Sequence, residues 1–142
     1  MLFVTRFAPS PTGPLHLGHA YSALMAHDMA RAHGGQFLLR FEDTDLERSK
    51  PEYITQIIDD LTWLGLTWDA DPLFQSQSFD VYNQSLDILI SRDFTYPCRC
   101  SRKDIAAALS APQEGVPHHL YPQTCKHRAM SDRQNGDAIR LH

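Results

Sequence analysis

The chain begins with a short apolar segment that leads directly into a proline-rich loop. Residues 2–8 are apolar and β-branched enough for a buried strand, and prolines at positions 9, 11 and 14 then forbid regular structure. Residues 15–32 contain no proline and many alanines, and Gly34 and Gly35 follow as a suitable left-handed helix end. The sequence therefore predicts a strand, a tight loop and a helix, in that order.

The same alternation continues along the chain. Residues 36–41 form a second apolar segment, and Pro51 stands at the start of a helix whose apolar side chains repeat at helical spacing up to Gly65. A further helix is predicted over residues 79–92. Strands that alternate with helices are typical of a parallel α/β sheet, so we expect one in this part of the chain.

Two histidines stand at the entrance of the first predicted helix. In an open α/β sheet, ligands bind beyond the carboxyl ends of the strands, and a helix N-terminus there attracts anions. His16 and His19 with Gly18 between them suit a polyphosphate, because glycine allows close approach and both imidazoles can donate. The alternative is that both are ordinary surface histidines. The sequence has neither a phosphate loop ending in Gly-Lys-Ser/Thr nor a G-x-G-x-x-G string, which argues against a P-loop NTPase and a dinucleotide-binding fold.

Charge is distributed unevenly along the 142 residues, whose net charge is -4. Residues 97–128 contain five basic and two acidic side chains, and all three cysteines lie there as well. No apolar run reaches the roughly 20 residues of a membrane span, and no export signal opens the chain, so we expect a cytoplasmic protein without a membrane partner. Free thiols or a metal site then fit three cysteines better than disulfides.

The cysteines have the spacing of an incomplete zinc site. Cys98 and Cys100 form a C-x-C pair, Cys125 is a third thiol, and a tetrahedral site needs one more ligand. Tyr121 and His127 are the candidates, and chemistry alone favours the imidazole because a phenol must first lose its proton. Three reduced thiols without a metal remain the alternative.

The rest of this region carries signals for an irregular lobe. Prolines at 112, 117 and 122 argue against regular structure over residues 111–123, whereas Ser101 and Asp104 resemble a capping pair that opens a short helix through Leu109. A strand is predicted to begin near residue 137.

Several strings together resemble a known family. Arg6-Phe-Ala-Pro-Ser-Pro-Thr-Gly13 and His16-Leu-Gly-His19 resemble the opening and first signature of class I aminoacyl-tRNA synthetases, specifically their glutamyl members. Leu39-Arg-Phe-Glu-Asp-Thr-Asp45 and Trp63-Leu-Gly-Leu-Thr-Trp68 are similar to two later family segments. The resemblance extends over nearly the whole chain.

The resemblance implies an activity and a set of site residues. ATP and L-glutamate would bind side by side above the sheet, with Mg²⁺ arriving on ATP, and glutamate would attack the α-phosphate. His16 and His19 would be the catalytic residues, through contacts with the triphosphate. The implied glutamate site comprises Arg6, Phe7, Ala8, Pro9, Ser10 and Glu42, and the implied nucleotide site comprises Thr12, Gly13, His16, Gly18 and His19. A structural alternative for Arg6 and Glu42 is a simple ion pair with each other.

The cysteine region resembles one branch of the family more than another. Glutamyl-Q tRNA(Asp) synthetases carry C-x-C followed by Tyr-x-x-x-Cys, and this resemblance implies one structural Zn²⁺ on Cys98, Cys100, Tyr121 and Cys125. It also implies tRNA(Asp) as a partner, with glutamate transferred to queuosine in its anticodon. Some glutamyl-tRNA synthetases instead carry Cys-x-His, which Cys125-Lys-His127 matches, and the alternative partner is then tRNA(Glu). A non-catalytic, zinc-containing RNA-binding fragment is a third alternative.

The resemblance also sets expectations for domain organisation. It implies a Rossmann-like ATP- and glutamate-binding part with a parallel α/β sheet at residues 1–96, a zinc-binding insertion at 97–130, and the start of a continuing catalytic domain at 131–142. The lysine-rich second signature of the class does not occur in the sequence. We therefore expect the N-terminal part of a longer, monomeric enzyme, which on its own binds ligands weakly and turns over little.

Overall fold

Parallel strands organise the first half of the chain in the computed structural model, which describes residues 2–110 and 122–142. Strand β1 (Val4–Phe7) pairs in parallel with β2 (Gln36–Phe41), which pairs in parallel with β3 (Leu73–Phe74). Helix α1 (Leu17–Ala32) connects β1 to β2, and α2 (Pro51–Trp63) lies between β2 and β3. The parallel α/β sheet expected from the sequence is confirmed in this region.

The core of this region lies on one face of β2. Phe37, Leu39 and Phe41 alternate along the strand and are buried, as expected for side chains that share a face. Ile57 and Leu61 of α2 belong to the same cluster and are fully buried. Burial of each such side chain stabilises the fold by about 1.5–3 kcal/mol, and the cluster thereby fixes the strand ends that carry the polar residues described below.

Glycines end both helices of this region. Gly34 follows α1 at φ +59° and Gly65 follows α2 at φ +77°, which confirms the two helix ends expected from the sequence. Gly35 is required for a different reason, because a Cβ at this position would lie 2.2 Å from the carbonyl oxygen of Phe3. The neighbouring Gln36 N–H donates to that oxygen at 2.9 Å, which ties the start of β2 to β1.

The second half of the chain has a different arrangement of strands. Helix α3 (Phe79–Ser91) and strand β4 (Thr95–Cys98) are followed by α4 (Arg102–Ser110), and β5 (Ala138–Leu141) pairs with β4 in antiparallel orientation. The predicted capping pair is confirmed, since Asp104 accepts from the Ser101 N–H at 2.8 Å and donates its own N–H to Ser101 Oγ at 3.2 Å. Residues 111–121, including Tyr121 and most of the expected irregular segment, lie outside the described residues.

The chain divides into two compact units, Met1–Phe79 and Asp80–His142. The boundaries expected from the sequence, after residues 96 and 130, stay predictions. Among the helices that the structure describes, none has both the length and the apolar character needed to cross a membrane.

Candidate functional site

The loop between β1 and α1 borders a cavity of about 280 Å³. Phe7 comes from the end of β1, His19 comes from α1, and the proline-rich loop between them contributes the rest of the lining. The cavity lies where ligands bind in open α/β sheets, beyond the carboxyl end of a strand and at the beginning of the next helix. Its lining consists of Phe7, Ala8, Pro9, Ser10, Thr12, Gly13, Pro14 and His19. Seven residues assigned from the sequence to glutamate or to nucleotide therefore border one cavity, whereas four others do not belong to its lining, namely Arg6, His16, Gly18 and Glu42.

His16 and His19 cap the first turn of α1 reciprocally. Helix α1 begins at Leu17 rather than at the expected residue 15, because His16 has an extended backbone and acts as the N-cap. Nδ1 of His16 accepts from the Gly18 N–H at 3.1 Å, and Nδ1 of His19 accepts from the His16 N–H at 3.2 Å. A ring nitrogen that accepts a hydrogen bond carries no proton, so both neutral rings have their proton on Nε2. Each imidazole thus retains one donor for a ligand.

The electrostatics of this helix end favour an anion. The first turn of α1 contains no acidic residue, and the aligned peptide dipoles give this end of the helix a partial positive charge. Burial lowers the pKa of His19 below the ordinary 6.5, and the neighbouring His16 ring lowers it further. His19 is consequently neutral at pH 7 and acts as a hydrogen-bond donor rather than as a fixed cation.

Gly18 keeps the two rings in their capping positions. A Cβ at this position would lie 3.0 Å from Cε1 and 3.2 Å from Nδ1 of His16, which is closer than most Cβ contacts. His16 and His19 stack with ring centroids 3.8 Å apart, so the ring of His16 has little room to move toward its neighbour. Position 18 therefore favours a residue without a Cβ, which leaves room for the His16 ring.

Arg6 and Glu42 are placed on neighbouring strand ends but not as an ion pair. Arg6 is exposed near the end of β1, and Glu42 directly follows β2. Glu42 N–H donates to the Pro9 carbonyl at 2.9 Å, which joins the end of β2 to the cavity loop. The Glu42 carboxylate pairs with Arg40, at 2.5 Å from Nη2 to Oε1, rather than with Arg6. Arg40 was not among the residues selected from the sequence, because a charged residue inside a strand usually faces solvent.

Asp43 is a second residue that sequence reasoning did not assign to the site. Its carboxylate is buried and accepts from the Ser76 N–H at 2.9 Å and from Ser76 Oγ at 2.6 Å. Ser76 lies in the 3₁₀ turn Gln75–Ser78 that follows β3. Asp43 thus fastens the segment after β2 to the segment after β3.

The three cysteines converge in the second unit. The Sγ atoms of Cys98, Cys100 and Cys125 all lie within 4.8 Å of one another, and Cys100 and Cys125 are 3.6 Å apart. Two sulfurs that bind one tetrahedral Zn²⁺ at about 2.3 Å are separated by roughly 3.8 Å, so these thiols fit zinc. The ring of His127 is exposed, and His127 does not belong to this group of ligand atoms.

A hydrogen-bonded arginine supports the cysteine region. Arg128 donates to the carbonyl oxygens of Pro97 and Asp132 and pairs with the Asp137 carboxylate at 2.9 Å. Pro97 lies in β4 beside Cys98, and Asp137 immediately precedes β5. Arg128 therefore links the chain after Cys125 to both strands.

A parallel sheet with a helix N-terminus beyond its first strand defines an open α/β fold, the class of protein in which ligands bind at this edge of the sheet. The family described as tRNA synthetases class I (E and Q), catalytic domain, matches residues 3–139. The chain belongs to this family.

Individual relatives agree with the family. The chain is 56% identical over 127 residues to a glutamyl-Q tRNA(Asp) synthetase of Rhodobacter capsulatus, a match that covers 87% of this chain and 46% of the relative. It is 44% identical over 138 residues to a glutamate–tRNA ligase of Oleidesulfovibrio alaskensis, covering 97% of this chain and 30% of that protein. The chain thus spans less than half the length of these relatives.

Solved structures agree as well. A glutamate-tRNA synthetase from Elizabethkingia anophelis aligns with a TM-score of 0.70 and 34% identity over 78% of this chain and 25% of its own. A glutamate tRNA ligase from Elizabethkingia meningosepticum, in complex with its amino acid, aligns with a TM-score of 0.66 and 35% identity over 76% of this chain and 24% of its own.

Proposed function

We propose that this chain binds ATP and L-glutamate as part of an enzyme that activates glutamate for transfer to RNA. The observation that carries the proposal is the cavity beyond β1, which is bordered by the loop after this strand and by His19 of α1. A family match over residues 3–139 supports the assignment.

In the proposed reaction, a carboxylate oxygen of glutamate attacks the α-phosphorus of ATP. A new oxygen–phosphorus bond forms, the bond to the bridging oxygen breaks, and pyrophosphate leaves. The catalytic contribution of this chain is positioning and charge stabilisation. The Nε2–H donors of His16 and His19 and the positive end of the α1 dipole stabilise negative charge on the phosphates. Mg²⁺ accompanies ATP and neutralises part of its charge.

Glutamate brings two carboxylates and one ammonium group to this site. Arg6 is the residue proposed for a substrate carboxylate, because a guanidinium can donate two parallel hydrogen bonds to it. Glu42 is the residue proposed for the ammonium group. The hydrogen bond between the Glu42 N–H and the Pro9 carbonyl supports this, because it connects Glu42 to the cavity loop.

The cysteine region is proposed to hold one structural Zn²⁺. Cys98, Cys100 and Cys125 supply three thiolates at distances that suit the metal, and Tyr121 is proposed as the fourth ligand from the family resemblance. Zinc held by these residues would crosslink the end of β4 to the segment around Cys125 and would stabilise this unit. Basic side chains in the same region, including Arg99, are proposed to contact RNA phosphates.

The proposed acceptor is queuosine in the anticodon of tRNA(Asp). The 56% identity to a glutamyl-Q tRNA(Asp) synthetase supports this acceptor over tRNA(Glu). The match to a glutamate–tRNA ligase, which extends over 97% of the chain at 44% identity, makes charging of tRNA(Glu) the second candidate.

Ligand binding to the chain itself tests the proposal. We expect calorimetry or NMR titration to detect ATP and L-glutamate, with L-aspartate binding at least tenfold more weakly because it is one methylene shorter. Filter binding then compares tRNA(Asp) carrying queuosine, tRNA(Asp) carrying guanosine, and tRNA(Glu). A preference for tRNA(Glu) would favour the second candidate acceptor over the first. A chain that binds neither ATP nor glutamate would contradict the proposed glutamate activation.

A further inference from the structure

The carboxylate of Glu42 is held by an arginine of β2, the strand that Glu42 directly follows. Arg40 and Glu42 are two residues apart, so their side chains lie on the same face, opposite to the buried Phe41. Nη2 of Arg40 donates to Oε1 of Glu42 at 2.5 Å, and the two side chains are only 28% and 38% exposed. The short N–O distance and the partial burial of both side chains make this ion pair stronger than an ion pair in open solvent.

The Nε atom of Arg40 makes this ion pair unusual. Its Nε is buried and has no hydrogen-bond partner within the described residues. A buried donor without a partner costs free energy, so Arg40 is not optimally placed for stability alone. Within residues 2–110 and 122–142, Glu42 is the carboxylate that pairs with Arg40.

Among the residues that the structure describes, only Arg40 binds the Glu42 carboxylate, at one of its two oxygens, while two further contacts hold the backbone around it. Its N–H is bonded to the Pro9 carbonyl, its Oε1 is bonded to Arg40, and the next residue, Asp43, is anchored by Ser76. An ionised carboxylate has two acceptor oxygens, so Oε2 remains for another cation. Arg40 thereby fixes which oxygen is available and where it lies.

We propose that Arg40 is a positioning residue that orients Glu42 toward the ammonium group of the amino-acid substrate. This inference rests on the proposed function, in which Glu42 receives that ammonium group. Arg40 acts through Glu42 and does not touch the substrate. Without Arg40, the Glu42 side chain rotates among its rotamers and must be ordered again each time the substrate binds, which weakens the contact.

A comparison of two ligands isolates this role. Glutarate has both carboxylates of glutamate but no ammonium group, so it reports every contact except the one that Glu42 makes. We expect NMR titration of the wild-type chain to show a preference for L-glutamate over glutarate. Arg40→Met is expected to weaken glutamate binding about tenfold, the effect of losing one charge-assisted hydrogen bond, while the affinities for glutarate and ATP stay within about twofold. Arg40→Lys retains one cationic donor and is expected to fall between Arg40→Met and the wild type.

Arg31→Met is the matched control. Arg31 pairs with Asp69 at 2.7 Å, the two side chains are 35% and 32% exposed, and Asp69 also accepts from the N–H of Phe37 near the start of β2. Arg31→Met therefore removes an ion pair of similar exposure near the start of β2, whereas Arg40→Met removes one near its end. We expect Arg31→Met to lower stability without changing the preference for glutamate over glutarate.

The possible results separate this inference from the proposed function. Loss of the glutamate preference in Arg40→Met but not in Arg31→Met supports the positioning role. An unchanged preference in Arg40→Met overturns it and leaves the proposed function intact. If Arg40→Met does not fold, Arg40→Gln decides, because it keeps a polar side chain but removes the charge, and a wild-type preference in that variant overturns the role. A wild-type chain that binds ATP but neither glutamate nor glutarate contradicts the proposed substrate instead.

Discussion

His16 and His19 stack at a centroid distance of 3.8 Å while each caps the backbone of α1 through its own Nδ1. The first turn of the helix and the two imidazoles are therefore a single hydrogen-bonded unit. An Nδ1 that accepts a hydrogen bond carries no proton, so the unit has the ring N–H of each histidine on Nε2. The stability of this helix end therefore depends on the same two imidazoles whose Nε2–H groups are proposed to bind the triphosphate.

The first prediction concerns the pKa of His19. Burial lowers this pKa first, and His16 lowers it second. His16→Asn keeps an N-cap side chain but removes the imidazole, so the pKa of His19 is expected to rise part of the way toward 6.5. NMR titration of the His19 ring measures the change, and an unchanged or lower pKa in the variant contradicts the assigned cause.

The same shift predicts how stability depends on pH. A histidine whose pKa is lowered by folding binds fewer protons in the folded chain than in the unfolded chain. Its contribution is fully present above about 6.5, the unfolded value, and is lost as the pH falls from there through the lowered value. Urea unfolding between pH 7.5 and 5.5 is expected to show a smaller loss of stability in His19→Gln than in the wild-type chain.

The second prediction concerns Gly18. Alanine is favoured over glycine inside helices by about 1 kcal/mol, but its Cβ would press on the ring of His16. The ring lies at the end of a flexible side chain and can move, so we expect Gly18→Ala to keep wild-type stability within about 1 kcal/mol. Affinity for ATP is expected to fall severalfold because the donor of His16 is displaced. A variant that is stable and binds ATP normally would contradict the proposed role of His16.

The third prediction concerns the buried carboxylate of Asp43. Asp43→Ala leaves the Ser76 N–H and hydroxyl without their acceptor, which is expected to cost about 2–4 kcal/mol. Asp45→Ala is the control, because Asp45 pairs with the exposed Arg48 and its loss is expected to cost much less. Chemical denaturation of both variants measures the difference, and equal losses would show that the Asp43–Ser76 contact adds little.

The fourth prediction concerns the fourth zinc ligand. Protein purified without chelator is expected to contain about one equivalent of zinc, and Cys98→Ser to contain far less. Tyr121→Phe is expected to weaken zinc binding more than His127→Ala, since His127 is exposed and outside the thiol cluster. Competition with a chromophoric chelator measures both affinities. A larger effect of His127→Ala would assign the imidazole instead, and zinc-free wild-type protein would remove the site.

Local patterns predicted much of this fold. The strand–loop–helix at the start, the strand at residues 36–41 and the helix ends at Gly34 and Gly65 follow from apolar spacing and from proline and glycine chemistry. The two-residue strand β3 and the antiparallel pairing of β4 with β5 were not predicted. A strand of two residues carries no periodic signal, and strand pairing over about 40 residues is not encoded locally.

The site was predictable to a similar extent. The sequence placed the loop of residues 7–13 and His19 together, and the structure brings them to one cavity. It did not predict His16 as an N-cap, because histidine is not a usual capping residue. It also suggested Arg6 as an alternative partner for Glu42, whereas Arg40 holds the carboxylate. Side-chain pairing within a strand depends on rotamers that composition and spacing do not reveal.

The most direct test uses a non-hydrolysable sulfamoyl analogue of glutamyl-adenylate, which joins both proposed ligands in one molecule. We predict one binding site per chain, with amide NMR shifts concentrated in residues 6–19 and near Glu42, and weaker binding in His19→Ala. The aspartyl analogue, one methylene shorter, is expected to bind at least tenfold more weakly. No binding, or shifts that avoid the cavity beyond β1, would contradict the assignment of this chain to glutamate activation.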